Sequence, residues 1–66
     1  MKLIINDEEK DIAGAISVKD VVDSMKLVPE KIVVELNHRI LKTEEWKSSS
    51  VKDNDRIEIV SFVGGG

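Results

Sequence analysis

One amphipathic helix, placed between strand-like segments, limits the folds that this 66-residue chain can adopt. Ser17 is a suitable N-cap residue, and Asp20, three residues later, takes the capping-box position. The apolar residues that follow repeat at the spacing of one helix face, namely Val18, Val21, Val22 and Met25. Pro29 cannot continue a helix, so we expect the helix to end near Lys26 or Leu27. A single helix in a chain this short has to pack across one face of a sheet.

The segments on either side of the helix have the composition of strands, and short polar runs separate them. β-branched residues make 32–36 the strongest strand, and its apolar start favours a position covered on both faces for part of its length. The weakest strand is the return strand of an N-terminal hairpin. In chain order, the predicted strands are 2–6, 10–13, 32–36, 39–41 and 56–63. The predicted turns are 7–9, 37–38 and 53–55, with a brief helical turn at 43–46.

This order of elements predicts an α+β fold with a mixed sheet. A helix between two strands is the crossover that parallel pairing requires, so the first and last strands can join at the centre of the sheet. That arrangement is the β-grasp, or ubiquitin-like, fold, with one domain over 1–63 and a flexible Gly-Gly-Gly tail over 64–66. Trp46 is expected to close the end of the core, although a partner-binding hot spot is the alternative. The predicted core residues are Leu3, Ile5, Val18, Val22, Met25, Ile32, Val34, Leu36, Ile57 and Ile59.

The composition argues against several functional classes. The absence of cysteine excludes disulfides, thiolate catalysis and cysteine-based zinc sites. His38 is expected in an exposed turn, and the carboxylates of 7–9 in a solvated turn, so we expect no metal site. A net charge of -3 argues against nucleic acid as a partner. No apolar run approaches the roughly 20 residues that span a membrane, so we expect a cytoplasmic protein without a membrane partner.

The C-terminal glycines are the most informative feature for function. Glycine has no β-carbon, so Gly64, Gly65 and Gly66 make a thin segment that can enter a narrow cleft and present a backbone carboxylate. A carboxylate is a poor electrophile, so an activating enzyme and a nucleotide would have to convert it to an acyl-adenylate. A sulfur nucleophile could then produce a thiocarboxylate. The alternative is a frayed terminus without a function, which the position directly after a strong strand disfavours.

Residues beside the tail predict where a partner would dock. Along the last strand, Val60 and Phe62 have the opposite parity from the predicted core residues. In a regular strand both would face away from the helix, joined by Ile4 and Val33. An exposed apolar patch there, next to Val63, would mark a docking surface. The alternative is a local bulge that turns Val60 and Phe62 inward.

Three stretches resemble one known family. Val33–Asn37 and Thr43–Trp46 are weak signals alone, whereas Asp53–Val60 running into Phe62–Gly66 is fairly specific. Through these stretches, and over essentially its whole length, the chain resembles the ThiS family, the sulfur carriers of thiamine biosynthesis. The resemblance implies the β-grasp fold and a protein cosubstrate without catalytic side chains, rather than an enzyme.

The resemblance also implies partners and residue roles. Gly66 would be the acyl carrier, adenylated by an E1-like (ThiF-type) adenylyltransferase that uses ATP, while Gly64 and Gly65 thread the partner's cleft. A sulfur donor such as a cysteine desulfurase would supply sulfur, and the thiocarboxylate would deliver it to a ThiG-type thiazole synthase. No resident cofactor is implied. The chain departs from the family pattern at His38 and Asn54, where the family usually has glycine.

Three other interpretations stay open at the level of the sequence. The small subunit of molybdopterin synthase shares the fold and the Gly-Gly end, but the short length and the ending from Glu58 to Val63 favour the thiamine branch. A β-grasp module that only docks on a partner would tolerate loss of Gly65 and Gly66. A modifier conjugated to protein lysines would use the same activated carboxylate.

Overall fold

The computed structural model describes residues 1–62, and within them five strands form one sheet beneath one α-helix. The sheet order is β2-β1-β5-β3-β4, with β1 and β5 parallel and the other neighbours antiparallel. This is the predicted β-grasp arrangement, with the first and last strands adjacent. The elements are β1 (Lys2–Ile5), β2 (Glu8–Asp11), α1 (Val18–Ser24), β3 (Ile32–Leu36), β4 (Arg39–Leu41) and β5 (Arg56–Ser61). Short 3₁₀ turns occupy Pro29–Lys31 and Thr43–Glu45.

Helix α1 begins with the predicted capping box. The Ser17 hydroxyl accepts a hydrogen bond from the backbone N–H of Asp20, whose carboxylate accepts one from the Ser17 N–H at 2.9 Å. The backbone N–H of Val18 donates to the Ser49 carbonyl at 2.9 Å, which joins the helix start to the loop before β5. Met25 caps the C-terminus, and Lys26 then has φ of +56°, so the helix ends slightly earlier than predicted. No helix within residues 1–62 is long and apolar enough to cross a membrane.

The core lies between α1 and the sheet face that the helix covers. Eight of the ten predicted core residues are buried, while Met25 and Leu36 are partly buried and pack against the others. Trp46 is 2% exposed and closes the core as predicted. Four other buried residues were not among the predicted core residues: Ala15, Val21, Leu41 and Val51.

Two predictions about the strands are wrong. Asn6 and Asp7, which link β1 to β2, both have positive φ, the geometry of a two-residue hairpin turn. The return strand therefore starts at Glu8 and covers 8–11, not 10–13, so Glu8 and Glu9 belong to a strand and not to a turn. The prediction that the apolar start of β3 is covered on both faces is also wrong, since Val33 is 38% exposed.

Two asparagines hold β5 in place from both sides. The Asn6 side chain accepts a hydrogen bond from Ile59 N at 2.8 Å and donates to Ile59 O at 3.1 Å, so its amide continues the β1–β5 ladder like a peptide group. On the other side, the Asn37 side chain accepts from Arg56 N at 2.9 Å. These contacts fix the strand that leads to residues 63–66, which lie outside the described residues.

Candidate functional site

The open face, which we define as the sheet face turned away from α1, carries exposed apolar side chains. Ile40 is 65% exposed, Val60 60% and Val33 38%. Val33 and Val60 are directly opposite one another on β3 and β5. Burial alternates along β5, with Ile57 and Ile59 inward, so the strand is regular and the bulge considered for Val60 does not occur. The exposed residues form a patch over β4, β3 and β5, and β5 leads to the C-terminal end.

Two carboxylates lie at the middle of the open face. Glu35 on β3 is directly opposite Glu58 on β5, and both side chains are partly buried. The Oε2 atom of Glu58 is buried and has no hydrogen-bond donor among the described residues. Arg56, two residues before Glu58 on β5, forms an ion pair with Asp7 instead.

A groove adjoins the point where β5 ends. It has a volume of about 360 Å³ and lies between the segment after α1 and the end of the sheet. Phe62 is 46% exposed, and its backbone N–H donates to the Lys31 carbonyl at 2.9 Å, so the chain stays attached to the sheet as far as this residue. The groove is lined by Lys26, Leu27, Val28, Lys31, Ile32, Ser61 and Phe62. Its apolar floor and two lysines offer a second contact surface beside the C-terminal segment.

Two carboxylates have lowered pKa values, and both accept hydrogen bonds that stabilise the fold. Burial of Asp55 disfavours its charged form, but hydrogen bonds from the Asn37 side chain and the Lys52 N–H outweigh this and lower its pKa. Hydrogen bonds from the Ile16 and Ser17 N–H groups lower the pKa of Asp20. No cluster of metal-binding side chains occurs within residues 1–62, and His38 is exposed in the β3–β4 turn as predicted.

The predicted site residues divide into two groups. Val60 is exposed on the open face, as predicted, whereas Phe62, the residue after β5, is exposed and lines the groove. The other four residues lie outside the described part of the chain, and their roles stay predictions: Val63, Gly64, Gly65 and Gly66.

Sequence reasoning missed Glu35 and Glu58. Strand parity alone would have put Glu58 on the same face as Val60. Its position opposite Glu35 depends on the β3–β5 register, which strand parity does not reveal.

Comparisons with known proteins give a consistent result. The family model described as "ThiS family" matches residues 3–66. A sulfur carrier protein ThiS from Bacillus subtilis is 38% identical over 50 residues, which are 76% of each chain. A thiazole synthase from Paramagnetospirillum magneticum is 35% identical over all 66 residues, and the chain spans 20% of the length of that relative.

A solved structure agrees with the sequence comparisons. The crystal structure of the thiamine biosynthesis protein ThiS from Geobacter metallireducens superposes with a TM-score of 0.84 at 33% identity, and each chain is covered completely. The family model covers nearly the whole sequence, and the sheet order and helix position described above match the fold of this neighbour. The chain therefore belongs to the ThiS family.

Proposed function

We propose that this chain is a sulfur carrier in thiamine biosynthesis and that the carboxylate of Gly66 carries the sulfur. The family match supports this proposal because it extends through the three glycines to Gly66. The name of the Bacillus subtilis relative, a sulfur carrier protein, supports the same function. The chain would act as a cosubstrate, and the enzymes that it meets would supply the catalytic groups.

The proposed chemistry has two steps. A carboxylate oxygen of Gly66 attacks the α-phosphorus of ATP on an E1-like adenylyltransferase, and pyrophosphate leaves. A sulfur nucleophile then attacks the carbonyl carbon of the acyl-adenylate, and AMP leaves. With hydrosulfide as the nucleophile, the product is a thiocarboxylate and no change in oxidation state is required. In the cell, a cysteine desulfurase would supply the sulfur as a persulfide; its terminal sulfur would displace AMP to give an acyl disulfide, and a thiol reductant would then cleave the S–S bond to release the thiocarboxylate.

Two surfaces beside β5 would position the tail on these enzymes. The apolar patch with Val60 and the groove with Phe62 lie where β5 leads toward residues 63–66. An enzyme that held both surfaces would receive the glycines in its own cleft, because glycines need little space. Thiazole synthase is the proposed acceptor of the sulfur, since a relative with that name contains a segment similar to this entire chain.

Mass spectrometry of the C-terminal peptide tests the proposal. The purified chain is incubated with a ThiF-type adenylyltransferase, ATP and hydrosulfide. We expect replacement of one oxygen by sulfur at Gly66, and no replacement when ATP is left out. A variant with one alanine added after Gly66 is the matched control, because its fold should be unchanged while its carboxylate is displaced. An unmodified Gly66 in the complete reaction would contradict the proposal.

A growth experiment separates the thiamine branch from the molybdopterin alternative. Deletion of the gene should create a requirement for the thiazole part of thiamine, and the wild-type gene should remove it. The alanine-extended variant should not restore growth. A requirement for molybdenum cofactor instead would show that the carrier serves the other pathway.

A further inference from the structure

The paired carboxylates of the open face are unfavourable for the isolated domain. Residues directly opposite one another in antiparallel strands have their β-carbons about 5 Å apart, and like charges in such positions destabilise a sheet. Glu35 and Glu58 occupy such a pair. None of the ion pairs formed by the described residues includes either carboxylate. The fold therefore gains nothing evident from the two charges.

Three apolar side chains lie beside the pair, while Arg56, the outward-facing residue before Glu58 on β5, pairs with Asp7. Val33 and Val60 form the next outward-facing cross-strand pair on β3 and β5, and Ile40 on β4 is directly opposite Glu35. A protein docked on these side chains would exclude water from the two carboxylates. Buried carboxylates without a cation are costly, so a partner lacking a basic side chain at this point would bind poorly. A partner with an arginine there would gain, because the guanidinium can donate to both carboxylates at once.

We propose that Glu35 and Glu58 together bind one basic side chain of thiazole synthase, an arginine or a lysine, when that enzyme docks on the open face. The choice of this partner rests on the proposed function. It is favoured because one relative carries a domain similar to this whole chain within a protein named thiazole synthase. The Oε2 atom of Glu58 is already buried within the domain and lacks a donor within residues 1–62, so the partner's cation would bind the remaining carboxylate oxygens of the pair.

A binding experiment with two double variants tests this inference. Glu35→Gln with Glu58→Gln removes the paired charges and keeps the size of both side chains. Glu30→Gln with Glu44→Gln is the matched control, since it changes the net charge equally at two exposed residues outside the strands. Each protein is titrated into a ThiG-type thiazole synthase at low and at high salt. Thermal unfolding and thiocarboxylate formation by the adenylyltransferase are measured on the same samples.

The expected result separates binding from folding. The Glu35–Glu58 variant should bind thiazole synthase about tenfold or more weakly at low salt, because it loses charge-assisted hydrogen bonds. Its affinity should depend less on salt than that of the wild type. Its unfolding temperature should be equal or higher, since a repulsion has been removed. The control variant should resemble the wild type in affinity, salt dependence and unfolding temperature.

Two results would overturn the inference: equal affinities of the two double variants for thiazole synthase, or no binding of thiazole synthase by the wild type. A wild-type chain that binds thiazole synthase but never forms a thiocarboxylate would contradict the proposed function alone. Failure of the docking inference and failure of the carrier proposal are therefore distinguishable.

Discussion

At the scale of single residues, Asp55 links charge to stability. It is 5% exposed, and its carboxylate accepts hydrogen bonds from Asn37 Nδ2 at 3.1 Å and Lys52 N at 2.9 Å. Burial disfavours the charged carboxylate, yet these bonds lower its pKa below the usual 3.8. A group with a lowered pKa in the folded state stabilises the fold above its unfolded-state pKa. That contribution is lost as the pH falls through the folded-state pKa.

Asp55→Asn should therefore lower the unfolding free energy at neutral pH by about 1–3 kcal/mol, because an amide cannot accept at both positions. Urea titrations between about pH 5 and pH 2 should show a smaller decline of stability for the variant than for the wild type. Asp23→Asn on the exposed side of α1 serves as the control and should keep the wild-type decline. Parallel curves for Asp55→Asn and the wild type would contradict the assignment.

The surroundings of Asp55 also show which contacts can be predicted from the sequence and which cannot. The sequence predicts a turn at 53–55, and residues 53 and 54 form that turn. It cannot show that Asn37, eighteen positions away, donates to Asp55 and accepts from Arg56. Those bonds exist because the sheet brings the β3–β4 turn beside the start of β5. The local sequence is sufficient to predict the turn, but it does not reveal the hydrogen bonds between Asn37 and the start of β5.

At the scale of elements, the end of α1 offers a clear test. Lys26 follows the C-cap residue with φ of +56°, a conformation in which a β-carbon is crowded. Lys26→Gly should raise the unfolding free energy by about 0.5–1 kcal/mol, the relief of strain being partly offset by a more flexible unfolded chain. Lys19→Gly, inside α1, should lower it by about 1 kcal/mol. Chemical denaturation of both variants checks the opposite signs, and destabilisation by Lys26→Gly would contradict the explanation.

Strand β2 shows why element boundaries were harder to predict than element types. All four of its residues, Glu8–Asp11, are exposed and charged, so they give no apolar signal. The prediction followed the apolar residues Ile12 and Ala13 and was displaced by two positions. The strand forms because the turn at Asn6 and Asp7 returns the backbone directly beside β1. Pairing with a neighbour, rather than composition, determines this strand.

At the scale of the whole molecule, the single helix limits how much surface the fold can bury, and it leaves one face of the sheet open. A chain of this size buries only about 60% of the surface that it exposes when unfolded, and a single helix can cover one side of the sheet. The opposite side stays accessible, and strand parity correctly predicts that Val60 faces it. The carboxylate pair was not predicted, because its position depends on the register between β3 and β5.

Neighbouring residues of β5 should therefore separate folding from docking. Ile59 is 8% exposed and Val60 is 60% exposed. Ile59→Ala should lower the unfolding free energy by about 2–4 kcal/mol, because it removes methyl groups from the core. Val60→Asn should lower it by no more than about 1 kcal/mol, through reduced strand propensity. Yet Val60→Asn should weaken binding to thiazole synthase about tenfold, since it removes an exposed apolar contact next to the carboxylate pair of the proposed interface. Denaturant titration measures the stability of both variants, and binding titration measures their affinity for thiazole synthase.

Equal destabilisation by both variants would show that Val60 belongs to the core. Wild-type affinity of Val60→Asn would show that thiazole synthase does not dock on the open face.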